Sequence, residues 1–301
     1  MARDRCLNLY LPAHLRADHR AGKTNILSRL SAALPDWQLI DRDEAEGVAP
    51  PHGGFALTHM QEPLGPDTLC LRRAYYYPFW RIEPTNARWD FAVARAKPAL
   101  AAVPPGPARA FHRRMQARIF GQADPALTPQ DFVFMPLQGR LLQHRTFQSM
   151  SPLAMIRVTL AQMPELEIRA TLHPRESYSA EERAALAEVA AAEPRFRLVE
   201  AAATDLIRSC AFVVCQNSSV ALQAMIAGKG AVLFAGIDFH HLAGSVPRDG
   251  LAAAFAKGQQ PPAQMASYLW WFFREQAIDA QRPEAEADIR RILAAQGWPV
   301  T

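Results

Sequence analysis

Short apolar runs alternate along this chain with segments whose apolar residues recur every three or four positions, and in the second half each such run ends in a polar cluster. Phe132-Val133-Phe134-Met135 leads to Gln138 and Arg140, and residues 166–172 lead to His173-Pro174-Arg175-Glu176. Phe212-Val213-Val214-Cys215 leads to Asn217-Ser218-Ser219, and Ala231-Val232-Leu233-Phe234 leads to Asp238, His240 and His241. Runs of this length bounded by polar residues read as buried strands, and the segments 152–162, 179–193 and 219–227 between them read as helices. Strand alternating with helix predicts an α/β protein with a parallel sheet, in which ligands bind outside the carboxyl ends of the strands. All four polar clusters fall at that end, so the chain reads as a binding or catalytic protein.

Local signals sharpen these elements. Ser179 stands as an N-cap with Glu182 in the capping-box position, Pro194 stops that helix, and Gly228 closes the helix that starts at Ser219. Residues 196–199 read as a short strand and 204–210 as a short helix. In the first half, residues 6–11 read as a strand, 25–34 as a helix stopped by Pro35, and 37–40 and 55–58 as two further strands, an opening like that of a nucleotide-binding fold. Tyr75, Tyr76, Tyr77, Phe79, Trp80 and Trp89 then crowd around Pro78 and Pro84 without a clear period. Residues 92–100 read as a short helix. The run Val103-Pro104-Pro105-Gly106-Pro107 is the clearest break, followed by a basic helix at 108–120 and a Pro-containing loop at 121–130. An aromatic helix at 265–277 and an amphipathic one at 284–295 close the chain.

With 301 residues, half of them hydrophobic, the chain has material for two domains. The balance of 33 Lys and Arg against 29 Asp and Glu, and a pI near 9.0, suits anionic ligands. No Lys/Arg block stands out, so nucleic acid is not an expected partner. Cys6, Cys70, Cys210 and Cys215 form no CxxC pair and read as free thiols, mostly in apolar runs, in a reducing compartment. The charged start Met1-Ala2-Arg3-Asp4-Arg5 and the lack of a long apolar window predict a cytoplasmic protein with neither signal peptide nor membrane span.

Asn217-Ser218-Ser219 sits between a strand and a helix, where side-chain oxygens cap free amides and the helix dipole favours an anion. Capping needs one of these residues, which leaves the others for a phosphate. His173-Pro174 ends a strand, since proline cannot extend the ladder, and turns an imidazole toward any ligand there. Asp238 is a candidate general base, with a helix cap or salt bridge as the structural alternative. Adjacent His240 and His241 lack the spaced third ligand that a metal needs, so no metal is expected. Gly22-Lys23-Thr24 ends like a P-loop, but Ala17 replaces the required earlier glycine, and the segment reads as a polar loop after the first strand. The aromatic helix around Tyr268 to Phe273 reads as core in preference to a membrane anchor.

Together, Pro136-Leu137-Gln138, the Ser151-Pro152 helix start, His173-Pro174, and Asn217-Ser218-Ser219-Val220-Ala221-Leu222-Gln223-Ala224 followed by Gly228-Lys229 resemble the bacterial capsular polysaccharide synthesis family, which includes capsule β-Kdo transferases. The resemblance covers residues 130–245. It implies an α/β, GT-B-like architecture of two Rossmann-type domains with a cleft between them: 1–128 on the acceptor side, 129–260 binding a nucleotide sugar, and helices at 261–301 packing back across the domains. It also implies a CMP-linked acidic sugar as substrate, a glycan or glycolipid acceptor, and no separate cofactor. By position, His173, Pro174, Asn217, Ser218, Ser219, Gln138 and Arg140 would hold the nucleotide and phosphate.

The family's acidic residue after the Pro-Leu-Gln segment is replaced here by the acid-free Gly139-Arg140-Leu141-Leu142-Gln143-His144-Arg145-Thr146-Phe147-Gln148. Catalysis would then fall to Glu176, Asp238 or a residue of the N-terminal half. The expected function is a glycosyltransferase of capsular or surface polysaccharide synthesis. The alternatives are a degenerate nucleotide- or glycan-binding scaffold and a nucleotide-sugar epimerase. Peripheral contact with a membrane or a capsule-assembly complex stays open.

Overall fold

A computed structural model describes residues 5–23, 25–48 and 53–300. The charged residues 1–4 and Thr24 of Gly22-Lys23-Thr24 lie outside them. The chain divides into two compact units, one formed by residues 1–97 with 271–301 and the other by 98–270. The division falls earlier than the expected boundary at 128/129, and the end of the chain belongs with its beginning.

In chain order the first unit contains β1 (Cys6–Leu11), α1 (Ala13–Arg20), α2 (Asn25–Ala33), β2 (Gln38–Asp43), β3 (Phe55–His59), β4 (Thr68–Arg73), β5 (Phe79–Glu83) and α3 (Ala92–Arg95). The second contains α4 (Pro105–Phe120), β6 (Phe132–Leu137), α5 (Pro152–Gln162), β7 (Glu167–Leu172), α6 (Ala180–Ala192), β8 (Phe196–Leu198) and α7 (Ala203–Ser209). It continues with β9 (Phe212–Cys215), α8 (Ser219–Ile226), β10 (Gly230–Leu233), β11 (Gly244–Ser245), α9 (Val246–Asp249), α10 (Leu251–Gly258) and α11 (Met265–Trp270). A π-helical turn at Trp271–Glu275 then leads to β12 (Ile278–Asp279) and α12 (Ala285–Ala295), back in the first unit.

Among the described residues the first unit forms one sheet in the order β12-β5-β4-β3-β1-β2. Strands β2, β1, β3 and β4 run parallel, while β5 and β12 add antiparallel pairs at one edge. Leu7, Leu9 and Leu11 of β1 alternate onto a core that also holds Ile26 and Leu30 of α2 and Ile289 and Leu293 of α12. The C-terminal segment is tied there by Arg29, which donates to the Ala280 carbonyl at 3.1 Å and to Glu286 at 2.7 Å. Trp298 stacks on Trp37 with ring centroids 6.0 Å apart. Beside β1, Gly54 adopts φ +96°, and a Cβ there would lie 2.8 Å from the Cys6 carbonyl oxygen, so only glycine fits.

The second unit's sheet runs β8-β7-β6-β9-β10-β11, with every pair parallel. This is the spatial order in which a Rossmann sheet sets its third, second, first, fourth, fifth and sixth strands. The order reverses between β6 and β9, so the carboxyl ends of these two strands flank the switch point at which such sheets bind ligands. The six residues of β6 are all buried, as a central parallel strand requires. Helix α10 approaches the sheet closely enough that a Cβ at Gly244 would lie 1.9 Å from the Ala254 carbonyl oxygen. The basic helix α4 belongs to this unit because His112 and Gln116 meet the Ile226 carbonyl at 2.8 and 3.0 Å, covering an otherwise unsatisfied acceptor at the end of α8.

Candidate functional site

The loop after β6 is built from its own polar side chains. Gln148 accepts from the Arg145 amide at 2.8 Å, and His144 Nε2 meets the Gln148 carbonyl at 2.7 Å. The loop then runs across the sheet's carboxyl edge: Ser149 donates its amide to the Phe234 carbonyl at 2.7 Å, and the Gly236 amide donates to Phe147 at 2.8 Å. Gln216, just beyond β9, donates to the Met150 carbonyl at 3.1 Å. This brings Gln138, Arg140, Arg145 and Gln148 to the same end of the sheet as the residues after β7 and β9.

Arg140 is exposed and adopts φ +61°, an uncommon conformation for a side-chain-bearing residue that turns the chain directly after the strand. Arg145, half-buried beside it, lies 4.9 Å from the centroid of Phe147. Burial foremost, and the neighbouring Arg140 charge, lower its pKa, while Glu176 opposes them. Two guanidiniums and one carboxylate therefore share this corner, a local field favouring an anion. Arg145 belongs to no motif in the sequence, where this loop stands out only for its lack of acids.

His173 is exposed at the end of β7, and its orientation is set locally. The Arg175 amide donates to His173 Nδ1 at 3.2 Å, which leaves Nε2 as the ring's donor. The His173 amide donates at 2.8 Å to the Tyr178 hydroxyl, which in turn donates to the Leu137 carbonyl at 3.3 Å. Tyr178 thus pins the His-Pro turn to the end of β6. Burial foremost, with the charges of Glu176 and Glu182, raises its phenol pKa. Glu182 completes the capping box with Ser179 and also accepts the Leu141 amide in a short hydrogen bond, tying the start of α6 to the loop after β6. Neither link leaves a pattern in the sequence.

The serine motif divides its labour. Ser218, 9% exposed, caps α8 by accepting the Val220 amide at 3.3 Å, and Asn217, 7% exposed, donates to the Gly236 carbonyl at 3.4 Å. Ser219, the first residue of α8, is the exposed hydroxyl at the helix N-terminus. Pro174 and Glu176 are exposed beside His173, whereas Asp238 is buried, at 1% exposure. Around it, His240 Nδ1 meets the Ile237 carbonyl at 2.7 Å, His240 and His241 stack at 4.4 Å, and His241 Nδ1 meets the Tyr268 hydroxyl at 3.0 Å. Burial foremost lowers the His240 pKa. Among the described residues no group of three His, Cys, Asp or Glu is placed to hold a metal.

Comparison with known proteins separates fold from sequence. No protein-family model matches the chain, and no curated protein matches its sequence. Among solved structures, KpsC β-Kdo 2,7 transferase of Thermosulfurimonas dismutans superposes over 95% of this chain and 99% of its own, at 13% identity and a TM-score of 0.50. The chain shares the fold of a β-Kdo transferase. The KpsC β-Kdo 2,4 transferase of the same organism covers 88% of this chain and 89% of its own, at 11% identity and a TM-score of 0.46. The wall teichoic acid polymerase TagF covers 97% and 88%, at 11% identity and a TM-score of 0.34. The architecture is α/β and GT-B-like, with two Rossmann-type units. Among the described residues no helix is long and apolar enough to cross a membrane.

Proposed function

We propose that this protein is a glycosyltransferase that takes a CMP-linked acidic sugar as donor and adds it to a glycan or glycolipid during capsular or surface polysaccharide synthesis. One observation carries the reading. The sheet's switch point gathers Arg140, Arg145, the Nε2 donor of His173 and the exposed Ser219 at the start of α8, a set suited to a phosphate leaving group. Buried polar atoms in the same region have no hydrogen-bond partner: Gln138 Oε1, Arg145 Nε, Gln148 Nε2 and Gln216 Oε1. A ligand offering both donors and acceptors would satisfy them. Arg140, Arg145 and His173 would stabilise charge as the bond to phosphate breaks, and Glu176, the exposed carboxylate beside them, would act on the acceptor hydroxyl or on the sugar.

A second reading is favoured by the acid-free loop between Gly139 and Ser149 and by the burial of Asp238. In it the protein binds the nucleotide sugar or a glycan without transferring it. Calorimetric titration with CMP, UDP and GDP, followed by incubation with a CMP-linked acidic sugar, separates the two. Selective CMP binding with release of CMP supports the transferase, and binding without turnover supports the scaffold. No nucleotide binding defeats the transferase and leaves glycan binding as the form of the scaffold reading that stands.

A further inference from the structure

The first unit carries its own convergence of charge, which the proposed donor site does not use. Its parallel strands reverse order between β1 and β3, so the ends of these strands flank a second switch point. His59 is the last residue of β3 and pairs in register with Leu71 of β4, whose next residues are Arg72 and Arg73. β1 pairs alongside β3 through Tyr10 and Thr58, and its continuation places His14 in the first turn of α1. Three neighbouring strand ends thus direct two histidines and two arginines to one edge of the sheet.

The surroundings hold these groups in place. Arg72 donates to Asn86 Oδ1 at 2.5 Å, and Asn86 is itself anchored by donating to the Met60 carbonyl at 2.8 Å. The Arg73 guanidinium lies 5.3 Å from the Trp80 ring centroid. The nearby carboxylate of Glu62 is engaged by the Thr85 hydroxyl at 3.2 Å and the Asn86 amide at 2.8 Å. His59 is half-buried, and the Arg72 and Arg73 guanidiniums act on it alongside the His14 ring. Together with burial, the largest cause, they lower its pKa to about 4.

From this placement we infer that His14, His59, Arg72 and Arg73 form an anion-binding site in the first unit, taking a ligand through a single phosphate or carboxylate group. Cationic groups at the carboxyl ends of adjacent parallel strands, around a partly desolvated imidazole, supply charge-assisted donors to such a group. A bound anion favours the imidazolium, so occupancy raises the His59 pKa and recruits a third cation to the two arginines. The site lies wholly within the first unit and does not depend on the donor-site reading.

The test is NMR of the full-length protein with labelled histidines, titrated with inorganic phosphate, with a phosphomonoester and with a uronic acid, each against chloride at matched ionic strength. The expected result is a saturable shift of the His59 ring signals and an upward move of its pKa, with affinity falling about tenfold in Arg73→Met, the loss of one charge-assisted contact. Phosphate and phosphomonoester binding without the uronic acid identifies a phosphate ligand, and the reverse identifies a carboxylate. A response equal to that in chloride overturns the site, as does full binding by a doubly substituted His14→Ala, Arg73→Met protein. Because Arg72 also braces Asn86, Arg72→Gln is read only after its thermal unfolding matches the parent, and the conclusion rests on the His14 and Arg73 variants.

Discussion

Gly139 and Glu176 are packed together across the ends of β6 and β7: a methyl group added at Gly139 would lie 2.6 Å from Glu176 Oε2 and 3.3 Å from its carboxyl carbon. The glycine therefore makes room for the exposed carboxylate of the candidate site. Gly139→Ala should swing that carboxylate away, because the Glu176 side chain is free to rotate while the strand end is not. If Glu176 takes part in transfer, turnover should drop by about a hundredfold, as for a misplaced reacting group. Stability should change by no more than about 1 kcal/mol. Sugar-transfer kinetics and urea unfolding of the same preparation check both. Unchanged turnover would remove Glu176 from the reaction.

His173 should matter more than the residue that positions it. His173→Ala removes the Nε2 donor and should abolish nucleotide binding measured by calorimetry. Tyr178→Phe removes the hydroxyl that links the His173 amide to the Leu137 carbonyl, and should cost about 1 kcal/mol of stability with a smaller loss of affinity. Equal affinity in His173→Ala and the parent would place the nucleotide elsewhere.

Glycine has opposite meanings at two positions of the second unit. Gly244→Ala drives a Cβ to 1.9 Å from the Ala254 carbonyl oxygen and should cost about 3 kcal/mol or more, since α10 must move off the sheet. Gly106, in the first turn of α4, has no atom beyond its chain neighbours and its own helix backbone within 4 Å of an added Cβ. Gly106→Ala should stay within about 1 kcal/mol of the parent, because restriction of the unfolded chain is opposed by Pro107, which disfavours a helical residue with a Cβ before it. Chemical denaturation midpoints of the two variants decide this.

Acidification should weaken the fold through His59. Its folded-state pKa of about 4 lies below the ordinary 6.5, so the unfolded chain takes up the proton first. The contribution of the neutral imidazole is complete above pH 6.5 and is lost as pH falls toward about 4. The lowered pKa of His240 acts in the same direction. Asp249, held down to about 2 chiefly by its hydrogen bonds with Arg248, loses its contribution only at lower pH. Thermal midpoints measured across this range should fall less steeply in His59→Gln than in the parent, and parallel curves would contradict the assignment.

The amino-acid pattern by itself determined the elements whose signals are local. The strand at Cys6–Leu11, the helix at Pro152–Gln162 and the capping box of Ser179 and Glu182 all stand where apolar period and cap chemistry place them. The α/β class and the polar clusters at strand ends follow from the same signals, because side-chain period and helix capping act over a few residues. The pair β4 and β5 was not legible. All five residues of β5 are buried, including Arg81 and Glu83, and the carbonyls of Phe272 and Gln276 accept hydrogen bonds from the Arg81 guanidinium. Those partners are nearly 200 positions away, and no local period encodes them. The aromatic residues around Tyr75 looked irregular for the same reason: Tyr75 and Tyr76 meet Phe272 and Phe273. Tertiary structure alone returned the C-terminal segment to the first sheet, gave α4 to the second unit, and buried Asp238 while leaving Glu176 exposed. It also joined Arg145 to Arg140 and Glu176, and His14 to His59, Arg72 and Arg73. These placements depend on which strands become neighbours, and strand order is settled by the packing of whole sheets and helices, a long-range free energy that no single segment carries.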